Sequence, residues 1–379
     1  MTSNYDKDRH EEINQIDWDK TQTKEVVKTI FREAVENLNV NSDKQGLYEG
    51  SAGVLWGILN IKEYLSESVD LDPIKAANDI YESYLKNPDT NKVVPSLPMG
   101  QVGLLLLRYR INPSKDLEDE VYSLVKSNIE NPTLEFLWGA PGTMLAASYF
   151  YDQTSQECWA DLYRENARYL IKKLQETSEE ALIWMQDMYG KEVPYVGAGH
   201  GYFGNMYGIL KRIDLLSTDE KSYITHHIKK TALKLSRQDE DGHINWRPTY
   251  PDIEKAPTLV QWCHGSPGII TSLKKYPDDT EINELLVNAG ELVWKAGPLK
   301  KGVCICHGTD GNGFAFLQLY KRTGDAKWLS RARAFAMHEI NKEEYKNSSL
   351  SLFTGKIGFA LFLIGCLEER DNFPLLDEL

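Results

Sequence analysis

Cysteine is scarce in this chain: five residues in 379, two of them in a single Cys-x-Cys. That is too few for a disulfide framework. It points to a reducing compartment, where thiols stay free or bind metal. No run of 18 apolar residues occurs, so no segment reads as membrane-spanning. The opening residues, Met1 to Asp8, lack an apolar signal core, and position 2 is not the glycine that myristoylation needs. A cytoplasmic protein is therefore expected. Positive charge is also short: 43 Lys and Arg against 56 Asp and Glu give a net −13. That balance argues against a nucleic-acid surface and disfavours electrostatic docking on anionic membranes. Peripheral membrane recruitment by other means stays open. No alternating strand pattern of useful length appears, while 41% hydrophobic content is ample for a large core.

What is present is a repeat. Gly-x-x-Gly followed by an apolar run occurs seven times, opening at Gly50, Gly100, Gly139, Gly201, Gly265, Gly308 and Gly355. One such motif carries no information; seven, each opening an apolar helix, make a repeat architecture. Amphipathic stretches lie between them: Thr23–Leu38, Leu117–Ile129, Cys158–Leu174, Tyr223–Leu235, Ile282–Trp294 and Trp328–Ile340 carry apolar residues at helical spacing. Each repeat reads as an outer amphipathic helix, a glycine turn and a more apolar inner helix. Seven such hairpins suit a closed ring, an all-α α/α toroid with its inner helices forming a barrel. Residues 1–22 read as a loosely ordered lead and 23–379 as one toroid domain. The insert Ser236–Thr258 reads as loops over the active face.

The reactive side chains gather in the later turns. Lys301 to Gly313 holds Cys304, Cys306, His307 and four glycines. Cys306 and His307 are adjacent, so both can reach one metal ion, but a zinc site wants three or four protein ligands. The same Cys-His-Gly-x-x-Gly pattern occurs 43 residues earlier at Cys263. Three ligands would leave a fourth position open, as in catalytic zinc sites, and a thiol bound there loses its proton. Cys304 would point the other way in an extended segment and reads as packing. His264 has no argument for ligation. Cys158 and Cys366 fall in apolar helical patterns and read as core, and His226-His227 reads as solvated.

With seven Gly-x-x-Gly turns and Cys-His-Gly in the fifth and sixth, the chain resembles the lanthionine synthetase C-like (LanC-like) family. Val260 to Gly268, Cys306 to Leu317 and Ser351-Leu352-Phe353-x-Gly355 are similar to its eukaryotic branch. The resemblance implies one zinc per chain on Cys263, Cys306 and His307. It implies that His200, in Gly199-His200-Gly201, is the acid/base group, the candidate to protonate the carbon once an enolate has formed. The Asp that accompanies this His in bacterial cyclases has no counterpart in Phe136-Leu137-Trp138-Gly139. The resemblance further implies glutathione as co-substrate, added to dehydroalanine or dehydrobutyrine residues of proteins or peptides, with Lys301 a substrate-binding group. The rival reading is a zinc- and glutathione-binding adaptor without turnover. A prenyltransferase-like toroid has six hairpins, against the seven turns here.

Overall fold

The computed structural model describes residues 4–13, 17–175, 183–188, 190–251 and 257–379. Among them are fourteen α-helices, which alternate in character. The odd-numbered ones are α1 (Lys20–Glu36), α3 (Pro73–Lys86), α5 (Lys115–Ser127), α7 (Glu157–Gln175), α9 (Thr218–Leu235), α11 (Thr280–Ala296) and α13 (Ala326–Lys342). The even-numbered ones are α2 (Ser51–Leu65), α4 (Gln101–Ile111), α6 (Ala140–Thr154), α8 (Tyr202–Leu210), α10 (Ser266–Leu273), α12 (Thr309–Thr323) and α14 (Lys356–Glu368). The odd set is amphipathic. In α3 the buried residues Ala76, Ala77, Ile80, Tyr81 and Tyr84 form one stripe. The even set is buried nearly all round; α14 buries every residue from Lys356 to Leu367. Strand content is small: β1 (Gln186–Met188) pairs antiparallel with β2 (Lys191–Val193), and β3 (Ser236–Gln238) with β4 (Ile244–Trp246).

The odd helices often start on a side-chain cap. Asp19 accepts the Gln22 N–H at 2.9 Å, so α1 begins a few residues before the apolar pattern does. The even helices have no such cap; each starts at the first glycine of one of the seven turns. At α10 the first N–H, of Ser266, donates to the Asn245 side chain at 3.0 Å, while in five others it is met by the turn's own backbone. Ser51 N–H reaches the Lys44 carbonyl at 3.1 Å, Gln101 reaches Val94 at 2.9 Å, and Tyr202 reaches Tyr195, Thr309 Gly302 and Lys356 Ser349, each at 3.0 Å. This shared path presses an earlier carbonyl onto the second glycine. A Cβ on Gly268 would lie 1.9 Å from the Trp262 carbonyl oxygen, and one on Gly103 would lie 2.0 Å from that of Leu97. The repeat is glycine because no side chain fits.

Gly268→Ala should therefore destabilise the protein by roughly 3 kcal/mol or more, because the obstacle is backbone and cannot rotate away. Gly324, with φ +70° but open space around it, is the control. Gly324→Ala should cost only about 1–2 kcal/mol. Equal losses in thermal unfolding of the two variants would contradict this account of the turns.

The chain divides into two compact units: Met1–His10 with Val125–Gly297, and Glu11–Leu124 with Pro298–Leu379. In the first, α6 packs on α7 and α8, α8 on α10, and α10 on α11. Phe150 stacks on Trp159 at 4.4 Å in the α6–α7 contact. The stretch expected as a loose lead carries two anchors here: the His10 ring meets the Gly297 carbonyl at 3.0 Å, and Asn245 donates to the Asn4 carbonyl at 2.8 Å. The insert after α9 opens with the β3–β4 hairpin and returns beside the fourth turn, where Val196 N–H donates to Pro248 at 2.9 Å and Tyr250 N–H to Pro194 at 3.0 Å. Residues 252–256 of that insert lie outside the described residues. In the second unit, α1 packs on α2, α13 and α14, α2 on α3, α4 and α14, and α12 on α13 and α14.

Candidate functional site

The shared turn gives the repeats a common register. In turns two, three and six the residue four before the first glycine caps the turn with its side chain. Ser96 Oγ accepts the Met99 N–H at 2.9 Å, Glu135 Oε1 accepts that of Trp138 at 2.6 Å, and Cys304 Sγ accepts that of His307 at 3.4 Å. Cys304 also donates to the Phe353 carbonyl at 3.1 Å, so the packing role expected of it takes a definite form. The residue directly before the glycine is histidine in turns four, five and six: His200, His264 and His307.

His200 sits with a partner that the sequence did not reveal. Its Nδ1 lies 3.1 Å from Glu135 Oε2; the His200 side chain is 26% exposed and that of Glu135 is 0% exposed. The histidine is open to solvent on one side and the glutamate is not. The third turn is tied to α8 by Asn205, whose Nδ2 donates to the Leu134 carbonyl at 2.6 Å. Burial alone would depress the His200 pKa. The hydrogen bond and charge of Glu135, with the charge of Cys263, outweigh it and hold the imidazole above its ordinary value.

The fifth turn lies against the fourth. Gly199 N–H donates to the Cys263 carbonyl at 3.3 Å, and a Cβ on Gly199 would come within 2.7 Å of the Cys263 Cβ. The His264 ring is 6.1 Å from that of His200, and Tyr195 is 5.5 Å from His264. Burial, reinforced by His200, pushes His264 down to about 3. Neighbouring imidazoles are thus driven in opposite directions, His200 by its carboxylate partner and His264 by burial. Cys263 is buried, and the Gln261 amide Nε2 donates to its Sγ at 2.9 Å.

Cys306, His307 and Lys301 belong to the second unit. Cys306 is buried and its N–H donates to Phe353 at 2.9 Å. Thr309 pins this loop: its Oγ1 accepts from Leu299 N–H at 3.1 Å and donates to Glu339 Oε1, on α13, at 2.6 Å. Lys301 is exposed on the same loop. The structure thus brings His200 together with Cys263 in one unit, and Lys301 with Cys306 and His307 in the other.

Two expectations are corrected. Cys158 is exposed, because α7 turns Trp159, Ala160, Leu162 and Tyr163 inward and leaves position 158 outside the stripe. His227 is not solvated like His226; it meets the Tyr202 hydroxyl at 2.7 Å, and burial pushes its pKa down to about 4. Among the described residues one cluster brings three metal-ligating groups together, Asp239, Asp241 and His243. Lys295 is seated in it, 2.5 Å from Asp241 and 3.4 Å from His243, so it reads as an ion-paired turn. Among the described residues no helix is long and apolar enough to cross a membrane.

Fourteen helices in outer–inner alternation, with thiols and imidazoles in the glycine turns, define a class: helical-hairpin proteins with reactive groups at the inner helix starts. Among solved structures, that of Nisin cyclase matches over 92% of this chain and 94% of its own, with a TM-score of 0.66 at 18% identity. The chain has that fold, an all-α α/α toroid, as expected. The family described as Lanthionine synthetase C-like protein matches residues 11–377, and the chain belongs to it. A Danio rerio protein named Glutathione S-transferase LANCL1 is 31% identical over 261 residues, 64% of this chain and 62% of that protein. An Arabidopsis thaliana LanC-like protein GCL1 is 43% identical over 95 residues, 24% of this chain and 22% of its own. The chain aligns with less than two thirds of either relative's length.

Proposed function

We propose that this protein adds the thiol of glutathione to dehydroalanine or dehydrobutyrine residues in proteins or peptides, as a zinc-dependent transferase of the cytoplasm. The observation that carries the reading is the Glu135–His200 pair in the turn packed against Cys263. The name of the zebrafish relative supports glutathione as the thiol.

Cys263, Cys306 and His307 would hold the zinc. Two thiols and an imidazole are the donor set that this ion prefers, and the Cys263 sulfur accepts a hydrogen bond from Gln261, the kind of support that a metal-ligating sulfur takes. When bound, zinc supplies a Lewis acid that lowers the pKa of a thiol at its open position. The chain's own residues handle the rest. The thiol gives up its proton, its sulfur bonds to the alkene β-carbon, and the π pair moves onto the amide as an enolate. The α-carbon then takes one proton, so the sum is thiol plus alkene to thioether. We assign delivery of that proton to His200. Glu135 holds its ring by Nδ1 and leaves Nε2 for the reacting carbon.

Glutathione is anionic at neutral pH and this chain carries −13, so a local cation has to offset the overall field. We assign that role to Lys301, gripping a glutathione carboxylate. Lys301→Ala should raise the glutathione concentration for half-maximal rate roughly tenfold, about 1.4 kcal/mol. Lys301→Arg should keep much of the binding, and zinc content should not change. An unaltered glutathione dependence in Lys301→Ala would return the lysine to the solvated surface.

The reading is tested by mass spectrometry of a dehydroalanine peptide incubated with the protein and glutathione. A mass gain of one glutathione is expected. A peptide that stays unmodified while glutathione binds would make the protein an adaptor.

A further inference from the structure

At the fifth turn the side chain at this register departs from those of turns two, three and six. Gln261 stands four before the first glycine of the fifth turn, where Ser96, Glu135 and Cys304 each accept the N–H three residues on. Gln261 instead sends its Nε2–H to the Cys263 sulfur at 2.9 Å, short for a contact to sulfur. The amide is buried, 6% exposed, and its Oε1 has no hydrogen-bond partner. Leaving a buried acceptor unmade is costly, so the turn alone does not account for a glutamine here.

We propose that Gln261 is a positioning residue that tunes Cys263 as a metal ligand, its amide N–H drawing charge from the sulfur. The inference rests on the proposed ligand role of Cys263. The hydrogen bond stabilises the sulfur lone pairs, so it weakens that sulfur's donation to a bound metal. A metal that receives less charge from its ligands is the stronger Lewis acid toward an incoming thiol. Groups behind a ligand commonly set its donor strength in this way.

The test uses cobalt(II) in place of zinc and reads the sulfur-to-cobalt charge-transfer band in the full chain. Gln261→Met keeps the length and burial without the donor. Its band should move to lower energy than in wild type, and the metal should leave to a chelator roughly tenfold more slowly, the worth of one hydrogen bond. Gln261→Leu also lacks the donor and stays neutral, and its band should move in the same direction. It guards against poor packing of the methionine. Identical bands in wild type and both variants would overturn the inference while leaving the metal site standing. A wild type that takes up no cobalt with a thiolate band would overturn the ligand set itself, and the inference with it.

Discussion

Cys306→Ala should strip the protein of zinc and abolish thioether formation, while Cys304→Ala should keep both. The two cysteines are two residues apart, and only their surroundings tell them apart. Cys304 caps its turn, accepting from His307 N–H and donating to the Phe353 carbonyl. Cys306 has its backbone committed to Phe353 and stands at the same register as Cys263. A four-ligand structural zinc is worth about 10–16 kcal/mol, so one ligand carries about 3–4 kcal/mol, roughly 10²–10³-fold in affinity. Metal analysis of dialysed protein checks this. Zinc retained in Cys306→Ala and lost in Cys304→Ala would reverse the assignment.

The second large effect concerns the proton. His200→Asn should slow thioether formation roughly 10²-fold or more, with zinc and glutathione binding retained. Glu135→Gln keeps the shape of the buried side chain and removes its charge. It should slow the reaction by roughly tenfold or more, because the ring loses the anion that holds it and stabilises its protonated form. Glu135 has no surface for substrate, so its effect on the chemistry runs through His200 and the turn it caps. The double variant should then be no slower than His200→Asn alone, as expected for residues that work as a unit. Rates that multiply in the double variant would give Glu135 a separate job. Equal losses of binding and turnover in His200→Asn would make the histidine structural.

The repeat was legible because it is enforced by backbone. Five of the inner helix N-termini borrow carbonyls from their own turns, and a Cβ at Gly103 or Gly268 has no room, so the pattern survives as glycine. Helix faces were legible from periodicity, with errors of phase: Cys158 lies one residue from the buried Trp159 and points outward. Side-chain pairs between turns were not legible. Glu135 is 65 residues from His200, and only the packing of the third turn against α8 joins them. Its signal was its place four before Gly139, shared with Ser96 and Cys304, but the meaning of that position needs the turn's hydrogen bonds. Tyr202 and His227 form the same kind of pair, from an inner and an outer helix 25 residues apart.

The central claim is that bound zinc makes glutathione a nucleophile for dehydroamino acids and that the Glu135–His200 pair protonates the adduct. Its most direct test is thioether formation on a dehydroalanine peptide before zinc removal, after removal with a chelator, and after restoring one equivalent. The account predicts product, then none, then product again, with His200→Asn slow even when fully loaded. Product formed at the same rate by the zinc-free protein, or none from the loaded one, would contradict it.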